Sequence, residues 1–217
     1  MTTKLKAVFF DFDGVLRDSV AQQWTSYRHA LATHGLESVS DEQLRQHAHH
    51  IKYVHSNLAG HVSDKEFIGA FYEKLEELRP TIGMYDGTKQ LLEILNDRGY
   101  KVALVTSATK TQAPLAVHGL TELFETIIDG NDTTEHKPHP EPMFRTLEVL
   151  ELDARDAIMI GDMASDILSA QAAGLRATIG ITHGMGTKET LLAAGASYIV
   201  NSLQEVVDTI EEIEHGS

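Results

Sequence analysis

Six short apolar runs recur along the chain, and each is bounded by polar or turn-forming residues. A short continuous apolar run between turn signals is typical of a buried strand. The pattern predicts strands at Ala7–Phe10, Val102–Val105, Thr126–Ile128, Ala157–Ile160, Ala177–Ile181 and Tyr198–Val200. Because helical patterns separate the later runs, the chain is expected to form a doubly wound α/β fold with a parallel sheet covered on both faces.

The helices of this α/β part are predicted from apolar residues at helical spacing. They are expected from a cap at Asp86 to a stop at Gly99, at Thr111–His118, up to Leu150, at Ala164–Ala173, at Thr187–Ala194, and after Ser202, which forms a capping pattern with Glu205. These helices alternate with the later strands, and the last helix follows the final strand.

Between the first and second strands the pattern is helical throughout. Apolar residues recur at helical spacing after residue 20, and two capping boxes are predicted, Ser40 with Gln43 and Ser63 with Glu66. We therefore predict an inserted all-helical domain at residues 17–82, with residues 1–16 and 83–217 forming the α/β core.

Composition narrows the classes of partner. The 217 residues carry a formal charge of −14, which argues against nucleic acid and anionic membranes. No apolar run reaches the length of about 18 residues that a membrane helix requires, and the first apolar run is too short for a signal peptide. The chain has no Cys, which excludes disulfides and a thiol nucleophile and fits a cytoplasmic protein. Monomer and homodimer both stay open.

Polar residues follow the predicted strands at their carboxyl ends, where doubly wound folds place their sites. The first strand is followed by Asp11, Asp13 and Gly14, and the second by Thr106 and Ser107. The strand that ends at Ile160 is followed by Gly161, Asp162 and Asp166. Lys137 lies in the loop before the helix that ends near Leu150. Burying a charge is costly unless the charge is paired or bound to metal. Two acids where a buried strand emerges therefore indicate a site.

Each of these residues also has an ordinary structural explanation. Thr106 could cap the next helix, Lys137 could be a solvated loop cation, Asp162 could end a turn and Asp166 could lie on the surface. If both acids lay on one helical turn they would repel each other, unless a cation were bound between them. Taken together at consecutive strand ends, however, the structural explanations require several coincidences.

Four segments carry a family resemblance: DFDGVLRDS, VALVTS, KPHPEP and GDMASD. Their order and spacing resemble the four motifs of the haloacid dehalogenase superfamily over essentially the whole chain. The resemblance implies a Rossmann-like core with a small helical cap inserted after the first motif.

The resemblance also implies roles for the acids. Asp11 matches the nucleophile that forms an aspartyl-phosphate, and Asp13 matches the residue that acts as general acid and then as general base. Mg²⁺ would be held by the carboxylates of Asp11 and Asp162 and by the carbonyl of Asp13, with Asp166 supporting the site.

The remaining motif residues match groups that hold the substrate. Thr106 and Lys137 match the residues that bind the transferred phosphoryl group, and Ser107 is expected beside them. The catalytic set predicted by resemblance is therefore Asp11, Asp13, Thr106 and Lys137.

The same residues favour one reaction over its relatives. Dehalogenase members need no metal, and phosphonate-cleaving relatives lack an acid at the position of Asp13, so a phosphate ester is the expected substrate. Phosphomutases share all four motifs, which keeps that alternative open, and a third alternative is a non-catalytic phosphate-binding module.

The segment that contains Gly184-Met-Gly186, ITHGMGTKETLLAAGASYIVNSLQEV, resembles phosphoglycolate phosphatases. We therefore expect a Mg²⁺-dependent phosphatase acting on a small phosphorylated metabolite. Cations of the helical domain, such as Arg45 and Lys52, would bind the part of the substrate that lies away from its phosphate. Gly184 and Gly186 alone are only a fragment of a dinucleotide-binding loop.

Overall fold

The computed structural model describes residues 4–48 and 51–216. The chain divides into two compact units. One consists of Met1–Arg17 and Met84–Ser217, and the other of Asp18–Gly83. Both divisions lie one residue beyond the predicted domain boundaries, and the function of the second unit as a cap stays a prediction.

The first unit contains a six-stranded sheet in which every described strand pair is parallel. In chain order the described strands are β1 (Ala7–Phe10), β2 (Arg17–Asp18), β3 (Gly83–Met84), β4 (Lys101–Val105), β5 (Thr126–Ile128), β6 (Ala157–Gly161), β7 (Ala177–Ile181) and β8 (Tyr198–Val200). The large sheet has the order β5-β4-β1-β6-β7-β8, and β2 pairs separately with β3. The doubly wound parallel sheet predicted from the sequence is confirmed.

The central strands are continuous apolar runs because both of their faces are buried. Along β1, Val8 and Phe10 belong to one apolar cluster, whereas Ala7 and Phe9 belong to another. Alternate residues of a strand point to opposite faces, so the two clusters are the two faces of the sheet. All four residues of β1 are fully buried, and the strand therefore lies at the centre of the core.

Helices cover both faces of this sheet. The described helices of the first unit are α5 (Thr88–Asp97), α6 (Gln112–Val117), α7 (Glu141–Leu150), α8 (Ala164–Ala172), α9 (Lys188–Ala193) and α10 (Val206–His215). Apolar residues of α5, α6 and α10 join the cluster that contains Phe10, and those of α7 and α8 join the cluster that contains Phe9. The layers are thus helix, sheet and helix.

The second unit is helical, apart from the strand residues at its ends, over the residues described. Its helices are α1 (Val20–Thr33), α2 (Asp41–His47), α3 (Ile51–Leu58) and α4 (Asp64–Leu78). Helices α1 and α4 pack through aromatic rings, with the centroids of Tyr27 and Phe71 4.6 Å apart. Across residues 4–48 and 51–216, no helix of either unit combines the length and apolar character needed to cross a membrane.

Several predicted helix caps differ in detail. The capping box at Ser40 forms as predicted, but Ser63 begins α4 without a side-chain capping bond. Helix α5 is capped by Gly87 rather than Asp86, because the chain turns there with a φ of 85° that favours glycine. The Ser202 hydroxyl donates to the Glu205 carboxylate at 3.3 Å, and a short 3₁₀ turn precedes α10, so this predicted capping box is wrong.

Candidate active site

The predicted site residues converge where the strand order reverses. From β1 the chain builds outward through β4 and β5, then crosses to β6 on the other side of β1. Asp11 follows β1 directly, and its N–H donates to the carbonyl of Ile160 in β6 at 3.0 Å. Asp162 follows β6. Ligands of open α/β sheets bind at such a switch point, beyond the carboxyl ends of the strands.

Lys137 connects the strand ends at the centre of the site. Its Nζ donates to Asp11 Oδ1 at 2.7 Å, to Asp166 Oδ1 at 2.5 Å and to the Val105 carbonyl at 3.0 Å. The side chain is 4% exposed. Lys137 is therefore a buried, triply bonded ammonium group and not a solvated loop cation.

The loop that carries Lys137 is fastened on both sides. Before it, the Glu141 carboxylate accepts hydrogen bonds from the N–H groups of Thr134 and Glu135, each at 2.9 Å. After it, the buried hydroxyl of Ser169 donates to the His139 carbonyl at 2.8 Å. Fixing the backbone limits the positions that the ammonium group can reach, which favours one geometry at the site.

Three buried carboxylates lie together beside Lys137. Asp11, Asp162 and Asp166 each offer an oxygen, and these oxygens all lie within 4.8 Å of one another. Asp162 precedes α8, whereas Asp166 lies in its first turn and accepts the Met163 N–H at 3.0 Å. The two acids therefore do not share a helical turn, and neither is on the surface.

The two oxygens of Asp162 differ. Oδ2 accepts the Met185 N–H at 2.7 Å, whereas Oδ1 is buried with no hydrogen-bond partner among the described residues. A buried carboxylate oxygen without a partner is costly. Asp162 Oδ1 is thus held in a fixed position as a free ligand atom.

Three glycines enclose Asp162. A Cβ at Gly14 or at Gly184 would lie 2.2 Å from Asp162 Oδ2, and one at Gly186 would lie 2.1 Å from the Asp162 carbonyl oxygen. Any larger residue would displace the acid or the loop. Gly184 and Gly186 therefore belong to the setting of an acid and not to a dinucleotide loop.

The crowding of negative charge shifts the pKa values of the site. Burial raises the pKa of Asp11 to about 7, with the Asp166 charge adding to the rise and Lys137 opposing it. Burial, followed by the charges of Asp11 and Asp166, raises the pKa of Asp162 well above its ordinary value. Burial would lower the pKa of Lys137, but the carboxylates of Asp11 and Asp166 raise it. One ammonium group leaves the three acids short of positive charge.

This donor set fits a hard divalent cation. The ligand atoms are all carboxylate oxygens, one of them is free and fixed, and the cluster lacks compensating charge. Mg²⁺ prefers oxygen ligands and commonly takes one or two carboxylates together with substrate and water oxygens. The residues present therefore fit the metal that the sequence predicts.

Asp13 lies outside the carboxylate cluster. Its Oδ1 accepts a hydrogen bond from Arg17 Nε at 2.6 Å and forms an ion pair with Arg17 Nη2 at 2.5 Å. The side chain of Asp13 is 20% exposed, more than that of Asp11. Arg17 was not among the predicted site residues, although its spacing of four residues from Asp13 within one motif was a usable signal.

Thr106 and Ser107 follow β4 as predicted. Thr106 is buried, its N–H donates to the Ile128 carbonyl at 3.0 Å, and its hydroxyl accepts the Ala108 N–H at 3.2 Å. Thr111, and not Thr106, is the N-cap of α6, so the helix-cap explanation of Thr106 is wrong. Ser107 is half-buried, and binding of substrate by both residues stays a prediction.

Comparison with known proteins decides the family. The family model of haloacid dehalogenase-like hydrolases matches residues 8–179, which contain every predicted site residue. The chain belongs to this family. The resemblance inferred from the four motifs and the predicted hydrolase class are both confirmed.

Individual relatives of this haloacid dehalogenase-like hydrolase match over nearly their whole length. It is 29% identical to a phosphoglycolate phosphatase of Vibrio parahaemolyticus, over 95% of this chain and 96% of the relative. It is 27% identical to the pyrophosphatase PpaX of Bacillus pumilus, over 94% and 95% of the two chains. The crystal structure of a predicted phosphatase from Clostridium acetobutylicum is 26% identical, with a TM-score of 0.82 over 97% of this chain and 100% of that one.

Proposed function

We propose that this hydrolase is a Mg²⁺-dependent phosphatase that releases phosphate from a small phosphorylated metabolite through an aspartyl-phosphate on Asp11. The observation that carries the proposal is the buried contact of Lys137 with both Asp11 and Asp166, beside the free oxygen of Asp162. The relatives named as phosphatases support the reaction class.

The metal would be held by the carboxylates of Asp11 and Asp162 and by the carbonyl of Asp13, with Asp166 orienting the site. When bound, Mg²⁺ supplies two positive charges that offset the repulsion between an attacking carboxylate and a phosphate dianion. Unit charges a few Å apart interact by about 4 kcal/mol at an effective dielectric constant near 20. Positioned charges of this kind carry most of phosphoryl-transfer catalysis.

The protein groups would act in two steps. In the first step an oxygen of Asp11 forms a bond to phosphorus while the bond between phosphorus and the leaving oxygen breaks. The leaving oxygen keeps the electron pair of the broken bond and takes a proton from Asp13. Asp13 then removes a proton from water, whose oxygen attacks phosphorus and releases phosphate from Asp11. Lys137 and Thr106 would hold the phosphoryl group in line during both steps.

The substrate is proposed from the relatives and from the helical unit. The relatives include a phosphoglycolate phosphatase and a pyrophosphatase, so 2-phosphoglycolate and pyrophosphate are the first compounds to compare. The proposed site residues would interact only with the phosphoryl group, and discrimination would then come from residues 17–82 acting as a cap. Cytoplasmic location and the lack of nucleic-acid partners stay predictions.

The test is phosphate release from a panel of phosphoglycolate, sugar phosphates, nucleotides and pyrophosphate, with Mg²⁺ and with EDTA. We expect turnover only with Mg²⁺ and the highest kcat/KM on phosphoglycolate. Another class preferred by more than about 100-fold, about 2.7 kcal/mol of transition-state binding, would overturn the substrate but not the chemistry. Metal-independent turnover would contradict the proposal, and isomerisation of β-glucose 1-phosphate faster than its hydrolysis would replace it with a mutase.

A further inference from the structure

Arg17 is a buried cation at the edge of the site, and the proposed reaction described above gives it no role. Its side chain is 6% exposed, its Nε donates a hydrogen bond to Asp13 Oδ1 at 2.6 Å, and its Nη2 forms an ion pair with the same oxygen at 2.5 Å. An Arg–carboxylate pair often uses both oxygens of the acid. Here the second oxygen of Asp13, Oδ2, accepts no hydrogen bond from the described residues.

The turn that carries Asp13 also fixes Arg17. The Arg17 N–H donates to the Phe12 carbonyl at 2.8 Å, and the Arg17 carbonyl accepts the Gly14 N–H at 2.9 Å. The guanidinium carbon lies 4.6 Å from the centre of the Phe12 ring, within the range of a cation–π contact. Backbone and side chain together leave the guanidinium little freedom.

The arrangement of Arg17 also carries a cost. Its Nη1 is buried and has no hydrogen-bond partner within residues 4–48 and 51–216. A buried donor without a partner destabilises the fold by about 1–3 kcal/mol. Stability alone therefore does not account for the guanidinium at this place, whereas a function in holding Asp13 does.

We propose that Arg17 is a positioning residue for Asp13, holding Oδ1 through the Nε hydrogen bond and the Nη2 ion pair so that Oδ2 alone is presented to the reacting oxygens. The proposal rests on the proposed phosphatase function, in which Asp13 transfers protons. In the first step the bond between phosphorus and the leaving oxygen breaks, and that oxygen takes the proton from Oδ2. In the second step Oδ2 receives a proton from the attacking water. A proton transfer of this kind needs Oδ2 and the oxygen that gives or takes the proton to lie about 2.6–3.2 Å apart. A misplacement near 1 Å can lower the rate by about 100-fold.

The test compares substrates that differ in their need for Asp13. An alkyl phosphate has a poor leaving group that requires a proton, whereas 4-nitrophenyl phosphate does not. We expect Arg17→Met to lower kcat/KM, which reports the steps up to phosphoryl transfer to Asp11, at least about 10-fold more on the alkyl phosphate, about 1.4 kcal/mol. Arg17→Lys keeps the positive charge but lacks the planar guanidinium group, and its difference in loss between the two substrates should lie between those of wild type and Arg17→Met. The control Arg145→Met removes an exposed ion pair with Glu148 and should leave the ratio unchanged.

A double-mutant cycle then asks whether Arg17 acts through Asp13. In an Asp13→Ala background, Arg17→Met should cause no further loss of kcat/KM beyond about twofold. Equal losses of kcat/KM on both substrates, or an additive loss in that background, would overturn the positioning role while leaving the phosphatase intact. If Arg17→Met does not fold, as a melting curve would show, Arg17→Lys carries both comparisons. A wild-type protein that releases no phosphate from any substrate overturns the proposed function itself and is recognised before any variant is made.

Discussion

The raised pKa of Asp11 predicts that stabilisation by Mg²⁺ depends strongly on pH. In the folded, metal-free protein this carboxyl titrates at about 7 instead of 3.8. The folded protein therefore holds a proton that the unfolded chain has already released, so the free energy of unfolding falls as the pH rises between the two values. A bound cation replaces that proton and removes the penalty at neutral pH.

The size of the effect follows from the shift. A rise from 3.8 to about 7 spans about three pH units, and at about 1.4 kcal/mol per unit the metal-free protein loses on the order of 4 kcal/mol. Metal must displace the proton, so the apparent affinity at pH 5 is about 100-fold weaker than at pH 8. A Mg²⁺ concentration of about 100 times the dissociation constant at pH 8 stabilises by about 2.7 kcal/mol there, but by only about 0.4 kcal/mol at pH 5.

The assay is thermal unfolding in EDTA and in Mg²⁺ at pH 5, 6, 7 and 8. For a chain of 217 residues, the expected increase in Tm is about 5–11 °C at pH 8 and about 1 °C at pH 5. Asp162→Asn should abolish the increase, because it removes a carboxylate from the group of three acids that would hold the metal. Asp97→Asn, which changes an exposed acid of α5, is the matched control.

One outcome would refute this reasoning directly. An increase in Tm that is equal at pH 5 and pH 8, or larger at pH 5, would mean that Mg²⁺ does not displace a proton from this cluster. The metal would then bind elsewhere, or the buried acids would be ionised throughout the range.

Three further substitutions test the site. Asp11→Asn removes the attacking charge and should lower kcat by several orders of magnitude, and retention of more than about a tenth of wild-type kcat, a loss of only ~1.4 kcal/mol, would sink the nucleophile assignment. Lys137→Met leaves the acids without their ammonium group and should both lower kcat at least about 100-fold and, in melts at pH 8, increase the stabilisation by Mg²⁺; an unchanged kcat contradicts it. Gly14→Ala should weaken Mg²⁺ binding, as measured by calorimetry, because the added Cβ would lie 2.2 Å from Asp162 Oδ2. The control Gly99→Ala, at a φ of 83° and with nothing within 4 Å of the added Cβ, introduces the same backbone strain without the clash. Equal effects of the two substitutions on Mg²⁺ binding would show that only backbone strain matters.

The sequence predicts the strands of the sheet closely, and the central strands form continuous apolar runs because both of their faces are buried. The run Ala7–Phe10 coincides with β1, and Tyr198–Val200 coincides with β8. Helix starts were less predictable, since a cap depends on the backbone angle at one residue. Gly87 displaces the cap expected at Asp86 because the turn there requires a positive φ.

The acids of the site could be predicted because each follows a strand, but their surroundings could not. Lys137 and Asp11 are 126 residues apart, and no local pattern indicates that one ammonium group binds two acids. Gly184 is a glycine because Asp162 approaches it from another strand end. Arg17 was missed because a charged residue after a turn usually indicates solvent, and only the structure shows that it is buried beside Asp13.

The central position of β1 also sets an order of events during synthesis. Its neighbours are β4 and β6, so once β1 has been made it stays incompletely paired until residues 157–161 have been translated. At about 5–20 residues per second, the ribosome needs roughly 7–30 s to reach them. During that time an apolar strand waits with an unpaired edge, a state that chaperones recognise and that favours aggregation. The arrangement that brings Asp11 beside Asp162 therefore makes the nascent chain dependent on late long-range pairing.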